Sequence, residues 1–221
     1  MASRGEQTRS AIIDAALGLF EEVGFEATTM RAVAQRAGVS VGNAYYYFGS
    51  KDGLIQGFYD RAAKRHLAAS AERLEGVTEL DRRMYRHLES WFDTMAGYHQ
   101  FAASFFRTAA DPASPMSPFS AESEPARTAA IERWRDVLDG GDTQIPGAFS
   151  DELPEVLWLY QMGLVMFWVH DRSPDQVATR MVTARTVPLV VKAIGLVEVP
   201  ELRSIVDDLV ALMHDIRLAL R

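Results

Sequence analysis

Apolar residues recur along almost the whole chain at the 3.6-residue period of a helix, and no segment shows the alternation of a half-buried strand. Ile13, Ala16, Leu17 and Phe20 stand at i, i+3, i+4 and i+7, which predicts a helix from Arg9 to Val23, ended by Gly24. The eight residues before it read as a polar arm. Met30, Val33, Ala34 and Ala37 repeat the pattern in a short second helix. Thr28 is its candidate N-cap with Thr29 behind it, and Gly38 supplies the left-handed residue at its end. Ser40 caps a third short helix, and Ser50 opens a fourth whose apolar face is Leu54, Ile55, Phe58 and Tyr59. That helix runs to about Ala71, becoming polar and small in its later part.

Beyond it the pattern lengthens. Met84, Leu88, Trp91, Met95, Tyr98, Ala102 and Phe105 form one stripe, predicting a long helix over 77–110 with Gly97 as a bend or a weak spot. Residues 111–125 contain four prolines and four serines and are expected to form no packed element. A short helix follows over 126–138, then a loop over 139–150 with Gly140 and Gly141. The segment 152–170 is apolar on nearly all sides and so is expected to be buried on nearly all sides. Ser173 as N-cap and Pro174 at the first position start the next helix, which runs to about Leu196 with an expected kink at Pro188. A last helix is predicted over 200–220. The fold class is all-α, with about nine or ten helices.

Composition narrows the function. The chain has 221 residues and no cysteine, which excludes disulfides and thiol chemistry and fits a reducing cytoplasm. The longest apolar run, 156–169, is short of the roughly 18–20 residues that span a bilayer, so no membrane segment is expected. The net charge of −7 argues against a non-specific nucleic-acid coat. It is uneven, however: residues 1–70 carry 8 basic and 7 acidic side chains, and residues 71–221 carry 15 and 23. A near-neutral first domain (1–70) and an acidic second domain (71–221) follow. A few well-placed cations suffice for DNA contact, because phosphate contacts are local.

Helix, turn with glycine, helix over 28–51 is the helix-turn-helix pattern, whose second helix enters the major groove. There Asn43 can pair with adenine and Val41 can touch a thymine methyl, while Gly42 permits close approach. Thr29, Arg31, Tyr45, Tyr46 and Lys51 are the candidates for seating the motif on phosphate, and Ser40, the cap of the third helix, completes the candidate DNA-binding set. Three consecutive tyrosines at 100° per residue cannot all face inward, and Tyr47 with Phe48 are the better core residues. Gly38-Val39-Ser40-Val41-Gly42 also matches the G-x-S-x-G elbow of hydrolases, but that elbow needs a preceding strand, which the pattern lacks. No catalytic set, metal-ligand spacing or cofactor loop is read.

Residues from about Arg9 to Tyr59 resemble the DNA-binding domain of the TetR (tetracycline-repressor-like) family. Ala16, Phe20, Gly24-Phe25, Thr28 to Arg31, Ala34, Ala37 to Ser40, Gly42, Tyr45, Tyr47-Phe48 and Ser50 to Leu54 carry the likeness. Tyr46 departs from it, standing where many members have histidine. The resemblance implies DNA contact by Thr29, the third helix, Tyr45 and Lys51. It also implies a second domain that binds a small molecule and forms a homodimer on a palindromic operator. An apolar or aromatic effector is expected there, with Trp91, Tyr98, Phe101, Phe105, Trp134, Trp158, Met162 and Met166 as candidate lining residues. His99 and His170 are possible polar handles. The helices 152–170 and 174–196 have apolar surface to spare for the dimer. Two alternatives stay open: a regulator without an effector, and a helical enzyme or carrier whose helix-turn-helix is only structural.

Overall fold

The computed structural model describes residues 3–99, 102, 106, 109–111, 114, 117–145, 147–196, 208, 211, 212 and 215. Phe101, Phe105 and nearly all of the expected last helix lie outside these residues. The described chain is helical, without a strand. Its α-helices are α1 (Arg4–Val23), α2 (Met30–Arg36), α3 (Val41–Phe48), α4 (Lys51–Leu74), α5 (Leu80–Met95), α6 (Glu124–Asp139), α7 (Gly147–Ser150), α8 (Leu153–His170) and α9 (Val177–Leu196). Two compact units emerge: Met1–His66 with Thr94–Thr128, and Leu67–Asp93 with Ala129–Arg221. Their boundaries fall inside α4, α5 and α6. No helix among the described residues is long and apolar enough to cross a membrane.

In the first unit, Ile12, Ile13, Ala16, Phe20, Val33, Ala34, Ala44, Leu54, Ile55 and Phe58 build the core. The expected polar arm is instead the first turn of α1. Ser3 accepts from Glu6 N, and the Glu6 carboxylate accepts from Ser3 N at 2.7 Å, a reciprocal capping box. Arg9 therefore sits on a helix, with its guanidinium 5.2 Å from the Phe48 ring centroid and 3.3 Å from Asp60. The expected long helix of 77–110 is interrupted: α5 stops at Met95 and a 3₁₀ turn, Ala96–Tyr98, takes over at the exposed Gly97. Tyr98 stacks edge-on to Phe58 at 4.9 Å, and its hydroxyl accepts from Arg61 at 3.4 Å. Arg61 also donates to Asp14 at 2.6 Å, joining α4 to α1. Described residues of the serine-proline segment are packed, which its composition does not predict. Ser114, Ser117 and Ser123 are buried, and Ser117 N and Ser120 N donate to the carbonyls three residues back.

The second unit contains a polar centre that the hydrophobic pattern does not announce. Arg83 is buried, and its guanidinium donates to the carbonyls of Val77, Asp136 and Val137 at 2.6–2.9 Å. Burial is the main influence on this group and lowers its pKa. Side chains at Gly140 would collide with this guanidinium, so the Gly140 position serves close approach rather than a free loop. His87 is buried beside it on α5, with Nδ1 2.9 Å from Ser70 Oγ and its ring 4.7 Å from that of Trp134. Trp134 Nε1 donates to the buried Gln161 at 2.8 Å. Asp93 accepts from Arg73 and Arg180 at 2.7 and 2.6 Å, which ties α4, α5 and α9. Burial pushes the Asp93 carboxyl up, but these two guanidiniums outweigh it and hold it below the usual range.

Ser173 is the N-cap of a 3₁₀ turn, Pro174–Gln176, with Pro174 at its first position as expected, and its Oγ accepts from Ala178 N at 3.0 Å, while Asp171 knots the turn between α8 and α9. Asp171 accepts from Ser173 N and Oγ and from Thr179 N and Oγ1, all within 2.9 Å. Burial would raise its pKa, yet the four hydrogen bonds prevail and bring it to about 2. α9 runs through Pro188 without a break. α8 is not buried all round: Leu159, Met166 and Phe167 are exposed, and Val177, Met181, Leu189 and Leu196 are exposed on α9.

Candidate nucleic-acid interface

Three helix ends aim the candidate residues. α2 begins at Thr29, whose Oγ1 accepts from Ala32 N at 3.2 Å. Thr28, the residue expected to cap it, is instead buried and donates to Gly24 O at 2.8 Å. After α2, Gly38 takes φ +68°, in the left-handed region that glycine tolerates. Ser40 then caps α3 as expected, accepting from Asn43 N at 3.1 Å. Ala44 and Phe48 of α3 are buried and Tyr47 is half-buried, which holds the helix against the core. The closing contact comes from α4. A Cβ at Gly53 would collide with the Phe48 carbonyl, and one at Gly57 with the Phe48 ring. These two glycines, one turn apart, let α4 close over the end of α3.

The outer side of this arrangement gathers the expected contact residues. Thr29, Arg31, Ser40, Val41, Gly42, Tyr45 and Tyr46 are exposed, and Asn43 is half-buried at the edge. Tyr46 is 82% exposed and Tyr45 50%, so neither ring belongs to the core. Arg31 forms none of the described ion pairs. The N-termini of α2 and α3 add backbone N–H groups and a positive dipole end on the same small domain.

Lys51 departs from the pattern. Its ammonium donates to the carbonyls of Phe25 and Glu26 at 2.7 and 3.3 Å and lies 4.1 Å from the Phe25 ring centroid. It thus clamps the α1–α2 turn, a partner 25 or 26 residues away that no local pattern reveals.

The ligand candidates scatter. Trp134 is fully buried with its N–H satisfied by Gln161, and Trp158 is buried as well. Both are core. Trp91 is half-buried against Trp168, with ring centroids 5.5 Å apart. Met162 is half-buried, Met166 is exposed, and Tyr98 belongs to the first unit. An open cleft of about 380 Å³ is lined by Asp81, Arg82, Tyr85, Arg86, Ala184, Val187 and Pro188, and it includes none of the eight. His99 is half-buried in the first unit, and His170 Nδ1 lies 2.8 Å from Met166 O on the exposed end of α8.

Comparison with known proteins places this geometry. A family model described as "Bacterial regulatory proteins, tetR family" matches residues 12–57, and one described as "Tetracyclin repressor-like, C-terminal domain" matches residues 83–212. The HTH-type transcriptional regulator UidR of Escherichia coli is 35% identical over 81 residues, 37% of this chain and 41% of its own. The chain thus spans about two fifths of the length of the curated relatives it matches. A TetR transcriptional regulator from Nitrosomonas europaea superposes with a TM-score of 0.64 at 22% identity, covering 82% of this chain and 96% of that one. FadR from Bacillus subtilis, solved in complex with stearoyl-CoA, gives 0.62 at 17% identity, covering 80% and 96%. The two family matches, one on each side of residue 70, establish that this chain belongs to the TetR family of bacterial transcriptional regulators.

Proposed function

We propose that the chain works as a homodimer on a palindromic operator, with α3 of each protomer in one major groove. The observation that carries this is the outer side of α2 and α3. It is an exposed patch of hydroxyls, amide and aromatic edges at two capped helix starts. Thr29, Arg31, Ser40, Tyr45 and Tyr46 seat the motif on phosphate, and Val41, Gly42 and Asn43 meet the bases. Lys51 acts by holding the turn that aims α2. The DNA-binding domain is taken as residues 1–70 and the effector and dimer domain as 71–221.

The dimer reading is supported by α8 and α9. On α8 the exposed positions 159, 163, 166, 167 and 170 recur at helical period. On α9, positions 177, 181, 184, 188, 189, 192 and 196 do the same. The two helices pack on each other, with Tyr160 OH 2.5 Å from Thr186 Oγ1. A pair of neighbouring helices with apolar outer faces is half of a four-helix bundle, which a two-fold axis completes.

An effector of apolar or aromatic character bound in the second domain follows by analogy with FadR, whose solved complex holds stearoyl-CoA. Trp91 and Met162 are the candidates whose partial exposure leaves room for contact. Linkage then makes effector and operator weaken each other's binding. The protein is read as acting in the cytoplasm, without enzymatic activity.

Selection of bound sequences from a random duplex library tests the reading. It predicts an enriched palindrome with half-sites about one helical turn apart, and affinity that falls steeply with salt. No enrichment and no salt-dependent duplex binding would remove it.

A further inference from the structure

The recognition face of α3 carries no charge. Ala44 and Phe48 face inward, so its exposed side chains are Val41, Tyr45 and Tyr46, with Asn43 at the edge. Each base offers a different mark in the major groove. Guanine offers two acceptors, read best by arginine or lysine. Cytosine offers an amino donor, read by a carboxylate. Adenine offers a donor and an acceptor, read by asparagine or glutamine, and thymine offers a 5-methyl group, read by apolar side chains. The exposed face of α3 holds readers of the last two kinds and none of the first two. Val41 and Tyr45 stand at i and i+4, on one side of the helix, 37% and 50% exposed, with Val41 at the N-terminus where a recognition helix meets the base edges and Tyr45 one turn on. Tyrosine hydroxyls both donate and accept, so they separate the bases little.

Building on the operator-binding reading above, we propose that α3 selects its half-site by thymine 5-methyl groups. Val41 and the ring of Tyr45 cover the methyls, the Tyr45 hydroxyl keeping its phosphate contact, and Asn43 reads an adjacent adenine. The base pairs under α3 are therefore A·T. Such a helix discriminates by apolar contact, so its sequence preference is little affected by salt while total affinity is strongly affected. A methyl group taken from water is worth roughly a four-fold change in affinity. Preference within one half-site is then modest, and the second half-site multiplies it.

The test uses the full chain and an operator obtained by library selection. Each thymine is replaced singly by uracil, which deletes the methyl and leaves every hydrogen-bonding group in place. At one or two positions per half-site, uracil should lower affinity about four-fold. In Val41→Ala, one of those positions should become insensitive, and in Tyr45→Ala the other. Both residues are exposed, and thermal melting confirms that the variants fold. Uracil neutral at every position would overturn the proposal, as would selected half-sites whose α3-dependent base pairs are G·C. Both results require that the protein enrich an operator. Failure to enrich any sequence, with no salt-dependent binding, would instead remove the operator-binding reading and this proposal with it.

Discussion

The outer face of α2–α3 and the outer face of α8–α9 are both exposed, and they differ in every other respect. The first is small, uncharged along α3 and rich in hydroxyls and backbone N–H groups at helix starts. The second is a stripe of large aliphatic and aromatic side chains, with Leu189 at 61% exposure and Val177 at 57%. Polar groups that make directional contacts suit a partner with a fixed pattern of acceptors, such as a duplex. Contiguous large apolar surface suits a second protein surface of the same kind. The difference lies also in what holds each face in place. Glycines and backbone carbonyls position the α2–α3 face, as at Gly53, Gly57 and Lys51. Buried side-chain hydrogen bonds position the α8–α9 face, as at Asp171 and Gln161.

Breaking the apolar face should have the largest effect. Leu189→Glu places a charge where the proposed two-fold bundle would exclude water, so the protein should run as a monomer in light scattering. Operator affinity should then fall roughly 100-fold or more, because the second half-site no longer adds to the first. An unchanged dimer would show that α9 faces water. Next comes Lys51→Met, which leaves the Phe25 and Glu26 carbonyls without their charged donor and should cost about 1.5–3 kcal/mol in chemical denaturation. Operator affinity should fall while the slope of log K against log salt stays put. A slope reduced by about 0.9 would assign Lys51 to a phosphate instead.

Gly53→Ala sharpens the same side. Alanine favours a helix by about 1 kcal/mol, yet here its methyl meets the Phe48 carbonyl, and a net loss of about 1–3 kcal/mol is expected. A more stable variant would refute the close approach. Asp171→Asn should lower stability by about 1–3 kcal/mol at neutral pH through its lost charge-assisted hydrogen bonds. The folded pKa, about 2, lies below the unfolded value near 3.9. The carboxylate's contribution is therefore complete above about pH 4 and is lost as pH falls toward 2. Wild type and variant should converge over that window in acid titrations followed by circular dichroism. The smallest effect belongs to Tyr46→Phe, which removes one neutral hydroxyl from an exposed ring. A several-fold loss of operator affinity is expected, with folding unchanged.

Much of the first domain was legible because its signals are local. Ser40 as cap, Gly38 as turn and the inward set of α2 follow from spacing alone. Two local signals there are ambiguous without the fold. Ser3-Arg4-Gly5-Glu6 fits a capping box, though it lies in a stretch polar enough to pass for an arm. Thr28 and Thr29 carry the same hydroxyl, and only burial separates the cap from its neighbour. In the second domain, His87 stands three residues after Met84 and is buried beside it, a place that helical spacing allows but its polarity does not advertise. Arg83 and Lys51 were not legible in this way. Their partners are carbonyls brought in by tertiary packing, and a carbonyl has no identity in a sequence. Helical spacing marks burial without telling a lining from a core, as the buried, hydrogen-bonded Trp134 demonstrates.

The two helix-end ties of the second domain respond differently to acid. Arg83 holds the ends of two segments through a cation that stays charged at any pH a bacterium meets, and carbonyls do not titrate. Asp171 holds the start of α9 through an anion that acid can neutralise. Falling pH thus loosens the α8–α9 corner while the Arg83 core is still intact. Subunit separation should then precede loss of helix, leaving a window of folded, separated chains that neutralisation returns to pairs.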